Sequence, residues 1–337
     1  MTAATGEKAG QEGQVGAGRD RDRRRRRARA SRGDSRLAWR LIAPTIILLV
    51  VVIGYPVVYA VVKSLQLDKA DAGINPSTGF FEQGGKFVGL KYYRYWFTCR
   101  PGCPNGTNGY EFWPAVQTTV IFTVITVLFE VVLGTMMAMV MHRAFKGRAI
   151  VRAAILVPWA IPTAVTARLW EYMFQPHGVV NSVLGTHIIW TGSVWPARWT
   201  VMIGDIWKTT PFIALLVLAG LQVIPDELYE SARVDGANAF QRFVTITLPL
   251  VKPALLVAVL FRVLDVLRIF DLPYILTHGA NQTTTLSILA VNELRSSQNA
   301  AAALSTITFV FIFLVAFILV KVFSVNVVQT QARTVKA

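Results

Sequence analysis

Charge is scarce in this chain. Only 16% of its 337 residues are charged, where a soluble domain carries about a quarter. With 53% hydrophobic residues, the composition excludes an ordinary water-soluble domain and indicates a membrane protein. Cysteine is nearly absent, at two residues. That excludes a disulfide-dense secreted scaffold, and with no histidine clustered beside the pair no zinc or other metal site is expected. Catalytic signatures are missing too. There is no G-x-x-x-x-G-K-[ST], no H-E-x-x-H and no G-x-S-x-G, so the chain should hold no ATP of its own and is not read as a metalloprotease or a serine hydrolase.

Acidic residues are the rarer sign, 19 against 34 basic ones, for a net charge of +15. Much of the surplus sits in one run ahead of the first apolar segment, "RDRDRRRRRARASRGDSR". No aromatic recognition set or folded module accompanies it, so nucleic acid is not an expected partner. Beside a membrane span the run reads as a positive-inside signal that also touches anionic lipid. Residues 1–36, almost without large apolar side chains, are expected to be a disordered cytoplasmic tail.

What the chain has in abundance is long apolar runs. "LIAPTIILLVVVIGYPVVYAVV" (41–62) is uncharged and long enough to cross roughly 30 Å of hydrocarbon; it exceeds a signal-peptide core and lacks a convincing cleavage site. Further runs cover 115–141, 150–174, 200–221, 253–275 and 300–320. The expected fold class is all-α, a polytopic membrane protein whose six transmembrane helices fill residues 37–323. An even number of spans puts both termini in the cytoplasm, and the basic loop "HRAFKGRAIVR" agrees. Residues 324–337 form a second cytoplasmic tail. The external loop 63–112 holds Cys99 and Cys103, a pair that could close a Pro/Gly turn as a disulfide or remain as free thiols. Trp96, Trp113, Trp195 and Trp199 fall near span ends and suit the headgroup region.

The cytoplasmic loop 223–250 contains "ELYESARVDGANAFQRFVTITLPL". Pro225 and Asp226 offer a helix start, Gly236 suits the left-handed position that ends a helix, and Ala237 to Thr245 resumes a helical pattern. Pro249 is expected to stop or redirect the chain into the fifth span. Periodicity alone leaves a plain connector or a membrane-surface helix equally open. The spacing is more specific: Glu230, Ser231 and Ala232, three residues to Gly236, nine to Ile246, then Leu248 and Pro249. This resembles the EAA loop of binding-protein-dependent ABC importer permeases, with Ser231 as the one departure. "IWKTTPF" and "FRVLDVLRIFD" resemble strings of carbohydrate permeases, most closely those of actinobacterial trehalose or maltose systems.

The resemblance implies a coupling-helix loop that docks on a cytoplasmic ATPase, with Glu230 as acidic anchor, Ala232 as close contact and Gly236 as the bend. It also implies a second permease subunit, two ATP-binding subunits carrying ATP and Mg, an external substrate-binding lipoprotein and a bacterial plasma-membrane location. The solute implied is a disaccharide such as trehalose or maltose; importers of glycerol phosphate or a polyamine share the loop. An ion-coupled secondary transporter would show paired repeats with interrupted helices, and none is obvious.

Charges inside spans need partners or water. Arg168 with Glu171, and Asp205 with Lys208, are spaced to pair along their own helices. Arg262, Asp265, Arg268 and Asp271 recur every three residues, either as a ladder that fixes helix packing or as a polar wall for sugar hydroxyls, with Phe270 or Tyr274 stacking on a ring. Glu130 is a lone acid in span two that either pairs with a cation on another span or lines the pathway. Asn281, Gln282 and Thr283 are expected to be solvated in an external loop.

Overall fold

The computed structural model describes residues 39–68, 84–99 and 109–334. The expected tail 1–36, Cys103 and the middle of the external loop lie outside the described residues. Among these residues no strand forms; an isolated bridge joins Gln66 and Phe87. Two compact units follow one another, up to Tyr59 and from Ala60.

Most of α1 (Trp39–Ser64) makes up the first unit. Its middle is a π-turn, Val50–Gly54, in which the Tyr55 N–H reaches back to the Val50 carbonyl. Pro56 follows at once. A proline inside an α-helix removes one hydrogen bond and crowds the carbonyl four residues back. A π-turn placed just before it re-registers those bonds, so the helix continues.

In the second unit α2 (Lys91–Thr98) leads to α3 (Phe112–His142). Then come α4 (Arg148–Ala160), α5 (Thr163–Met173), the short α6 (Val179–Leu184) and α7 (Val194–Leu221). After α8 (Asp226–Val234), α9 (Ala239–Val266) runs into the helix packing, followed by α10 (Asp271–Thr277), α11 (Leu286–Leu294) and α12 (Gln298–Thr334). Five of these helices are long and apolar enough to cross a membrane, and the bent pair α4 and α5 together has the length and hydropathy of one more span.

The organising pair is α3 against α7, with α9 laid on both. Ala138, Met141, Ile213, Val217, Leu221, Val251 and Ala258 are buried together where the three meet. Gly134 explains the closeness: a Cβ there would stand 2.8 Å from Ile213 and 3.2 Å from the backbone nitrogen of Ala214. Small residues let membrane helices approach until their backbones nearly touch.

Several expectations need correction. Span three is not one helix, because α4 and α5 meet at 93°. Pro162 forces the preceding Ile161 out of the helical region, to φ −74 and ψ 133. Pro249 does not stop the chain. A second π-turn, Phe243–Thr247, precedes it, the Leu248 N–H reaches back to the Phe243 carbonyl, and α9 continues to Val266. Trp96 is fully buried rather than at a headgroup, its indole N–H donating to the Ala300 carbonyl at 3.0 Å.

The loop after α10, expected to be merely solvated, is instead built into the packing. His278, Asn281 and Gln282 all take positive φ, a conformation that costs non-glycine residues and persists where the surroundings enforce it. Here buried Arg198 donates to the Gln282 carbonyl at 3.2 Å and to its side chain at 3.2 Å. Thr118 donates to the same carbonyl, and Thr283 is fully buried. Cys99 is disulfide-bonded. Trp113 and Trp195 are exposed, as membrane anchors require.

Candidate functional site

Two groups of polar residues bear on function, the loop between α7 and α9 and an ion-pair cluster within the helix packing. In the loop, α8 starts after extended Pro225 and carries Asp226 and Glu227 in its first turn and Arg233 in its last. Both ends thus match the helix dipole. The helix ends where Gly236 adopts φ +79, the left-handed turn that glycine makes without a Cβ penalty. The Ala237 N–H bonds back to the Ala232 carbonyl at 2.9 Å. The next helical turn is started by a reciprocal cap: the Asn238 side chain accepts the Gln241 N–H at 2.9 Å and the Gln241 side chain accepts the Asn238 N–H at 2.8 Å.

The inner face of this loop is anchored. Tyr229 and Ile246 pack on the buried cluster that includes Leu221, Ile224 and Val251, and the Tyr229 hydroxyl lies 3.1 Å from that of Thr247. Ala232 is half-buried on the same side. The outer face is free. Glu227, Glu230, Ser231, Gly236, Leu248 and Pro249 are exposed, and so are Val234 at 88% and Phe240 at 74%. Among the described residues Glu230 makes no hydrogen bond or ion pair. Large apolar side chains held out beside a carboxylate with no intramolecular bond are the makings of a docking face.

The cluster centres on Arg262 of α9, whose side chain is 3% exposed. Its Nε donates to Glu130 Oε2 at 2.6 Å and its Nη2 to Glu130 Oε1 at 3.0 Å, a two-pronged fork onto α3. Nη2 also meets Asp205 of α7, and Nη1 donates to Asp265 at 2.5 Å. Glu130, fully buried, accepts a further bond from Thr209 at 2.7 Å. One guanidinium therefore ties three helices in a region where an unpaired charge is costly. Lys208 does not pair along its own helix with Asp205, which Arg262 has taken. Its ammonium donates to the Ile161 carbonyl at 2.5 Å, covering the backbone oxygen released by the break in span three. Arg168 does pair with Glu171 along its helix, at 2.6 Å.

The three-residue ladder does not stay on one helix. Residues 267–269 tighten into turns, Phe270 takes φ −134, and a new helix starts at Asp271. Arg262 is consequently inside, Asp265 mostly exposed, and Arg268 and Asp271 exposed. Phe270 and Tyr274 stack on each other, with ring centres 5.0 Å apart. Asp205, Thr209 and Lys208 are the cluster members that sequence reading placed wrongly or missed; only the unmatched acid at Glu130 hinted that a partner stood on another span. Sequence reading also missed the Asn238 cap, whose signal is the N-A-F-Q run.

Residues 130–330 match the family of binding-protein-dependent transport system inner membrane components. The chain belongs to this family. The matched stretch contains the whole ion-pair cluster and the α8 loop. Among the permease's relatives, the trehalose/maltose transport system permease protein MalF of Thermococcus litoralis is 38% identical over 297 residues, covering 86% of this chain and 94% of that one. The trehalose transport system permease protein SugA of Mycobacterium tuberculosis is 37% identical over 293 residues, covering 86% and 89%. A crystal structure of a bacterial alginate ABC transporter contains a chain of the same fold, at a TM-score of 0.67 and 21% identity over 85% of this chain and 92% of that one. The permease is thus a membrane-embedded transporter component.

Proposed function

We propose that this permease carries a carbohydrate of disaccharide size, of the trehalose or maltose kind, into the cytoplasm as one subunit of an ATP-driven importer. The sugar rests on the two trehalose relatives. The mechanism rests on one observation, the loop around α8 that is anchored inside and free outside. Its partners are two cytoplasmic ATP-binding subunits that hold ATP and Mg, a second permease and an external substrate-binding lipoprotein.

Glu230 orients the loop by charge on a basic groove of the ATPase. Ser231 and Ala232 permit close approach, and Gly236 sets the angle between the two helical arms. Ile246, Leu248 and Pro249 join the second arm to α9. Because Tyr229, Thr247 and Ile246 fasten the loop to α7 and α9, a push on α8 is delivered to the helices that Arg262 ties together. Glu130 and Arg262 spend their bonds within the protein, so the pathway contacts proposed are Asp265, Arg268, Asp271 and Tyr274. With both termini cytoplasmic, the loop faces the ATPases.

The test is to isolate the tagged protein from its native membrane in mild detergent, with and without Glu230→Lys. A P-loop ATPase recovered with wild type and depleted by the charge reversal, together with a lipoprotein that binds trehalose or maltose, supports the reading. Recovery of the chain alone, moving solute down an ion gradient, refutes it.

A further inference from the structure

A cavity of about 640 Å³ opens behind the α8 loop, at the boundary where α3 ends at His142 and α7 at Leu221. Its lining carries three guanidiniums, Arg143, Arg233 and Arg242, against one carboxylate, Asp226, together with the apolar side chains of Met139, Leu221 and Phe243. Among the described residues none of the three arginines makes an ion pair. Arg233 and Arg242 each use one nitrogen to steady the loop, on the carbonyls of Tyr229 and Ala237. A guanidinium has five N–H donors in a planar fork, so most of the hydrogen-bonding capacity at this place is unspent.

We propose that this cavity binds the headgroup of an anionic phospholipid. Converging arginines recognise phosphate oxygens two at a time. The apolar part of the lining suits the glycerol and first methylenes of a lipid better than a fully hydrated small anion. The cavity also sits at the end of membrane-spanning helices, where headgroups are the most concentrated phosphates, and each basic residue there adds attraction to an anionic leaflet. Bound in it, the lipid bridges the α3 end to both arms of the α8 loop and fixes their relative position. This inference does not depend on which solute is carried.

The test uses the full-length chain with whatever subunits accompany it. Phosphatidylglycerol and phosphatidylcholine with identical acyl chains are titrated in, and retained lipid is counted by native mass spectrometry. Phosphatidylglycerol should be preferred, and Arg143→Gln should weaken it by about tenfold or more, the lower edge of the range for one charge-assisted hydrogen bond. Arg143→Lys should restore most of the preference. Arg143 is exposed, so neither change threatens folding, and Arg168→Gln, at an exposed ion pair elsewhere, should leave lipid binding unchanged. Equal retention of the two lipids, or indifference to Arg143→Gln, overturns the proposal. So does displacement by excess inorganic phosphate, which assigns the site to a free anion. Protection of Arg143 from phenylglyoxal by a copurifying acidic protein segment, and not by lipid, overturns it as well.

Discussion

Replacing Arg262 with methionine removes the one cation that Glu130 and Asp205 share. The side chain is 3% exposed, Glu130 is fully buried and Asp205 nearly so. Two carboxylates are then left facing each other across the meeting of α3, α7 and α9, with one hydroxyl, Thr209, still bonded to Glu130. Breaking a buried pair by removing one partner costs about 3–5 kcal/mol, because the remaining charge is uncompensated. At about 2–4 °C per kcal/mol for a domain of this size, Arg262→Met should melt roughly 6–20 °C below wild type. The assay is thermal unfolding of the detergent-solubilised protein, followed by size-exclusion fluorescence after heating.

A companion variant separates charge imbalance from lost packing. The triple replacement Glu130→Leu, Asp205→Leu and Arg262→Met removes all the buried charge of this cluster, and such replacements are often neutral or stabilising by about 1–4 kcal/mol. The triple variant should therefore melt above the single one. If the single variant keeps the wild-type melting temperature, or the triple melts lower still, Arg262 is not the tie between these helices.

Gly236→Val puts a β-branched residue at φ +79; with nothing within 4 Å to obstruct a Cβ, membrane insertion should survive while the angle between the loop's arms changes. Sugar uptake should fall with ATP hydrolysis continuing uncoupled, and normal uptake would count against docking through this loop. Lys208→Met uncovers the Ile161 carbonyl and should destabilise by about 1.5–3 kcal/mol, the range for hydrogen bonds to charged groups; hydrogen exchange should rise first at residues 160–166, and unaltered exchange there would refute the bracing role. Alanine at Asp265, Arg268 and Asp271 in turn, with assembly checked separately, should reduce uptake at one or more positions; unchanged transport at all three removes the pathway assignment.

Six apolar runs, a basic amino-terminal flank and the spacing from Glu230 to Pro249 were enough to identify an all-α membrane permease and to place a bent two-helix loop. Those features are local: hydropathy depends on composition within a span's length, and a glycine that ends a helix acts within a few residues. Sequence reading treats Pro249 as a breaker and runs span three straight through Pro162, and the structure reverses both for a reason equally near in the chain. Pro249 follows a π-turn that absorbs it, while Pro162 does not and turns the chain by 93°. Tertiary packing decided everything that depends on which faces meet. Glu130, Asp205 and Arg262 are separated by scores of residues, and one cation can serve two acids only after Gly134 has let α3 settle against α7. Lys208 could have bonded its neighbour Asp205 or a carbonyl 47 residues away, and it bonds the carbonyl while Arg262 holds the acid. Sequence fixes how many charges must be accommodated in the membrane; which charge answers which is settled only by the fold, because Coulomb attraction follows distance through space rather than along the chain.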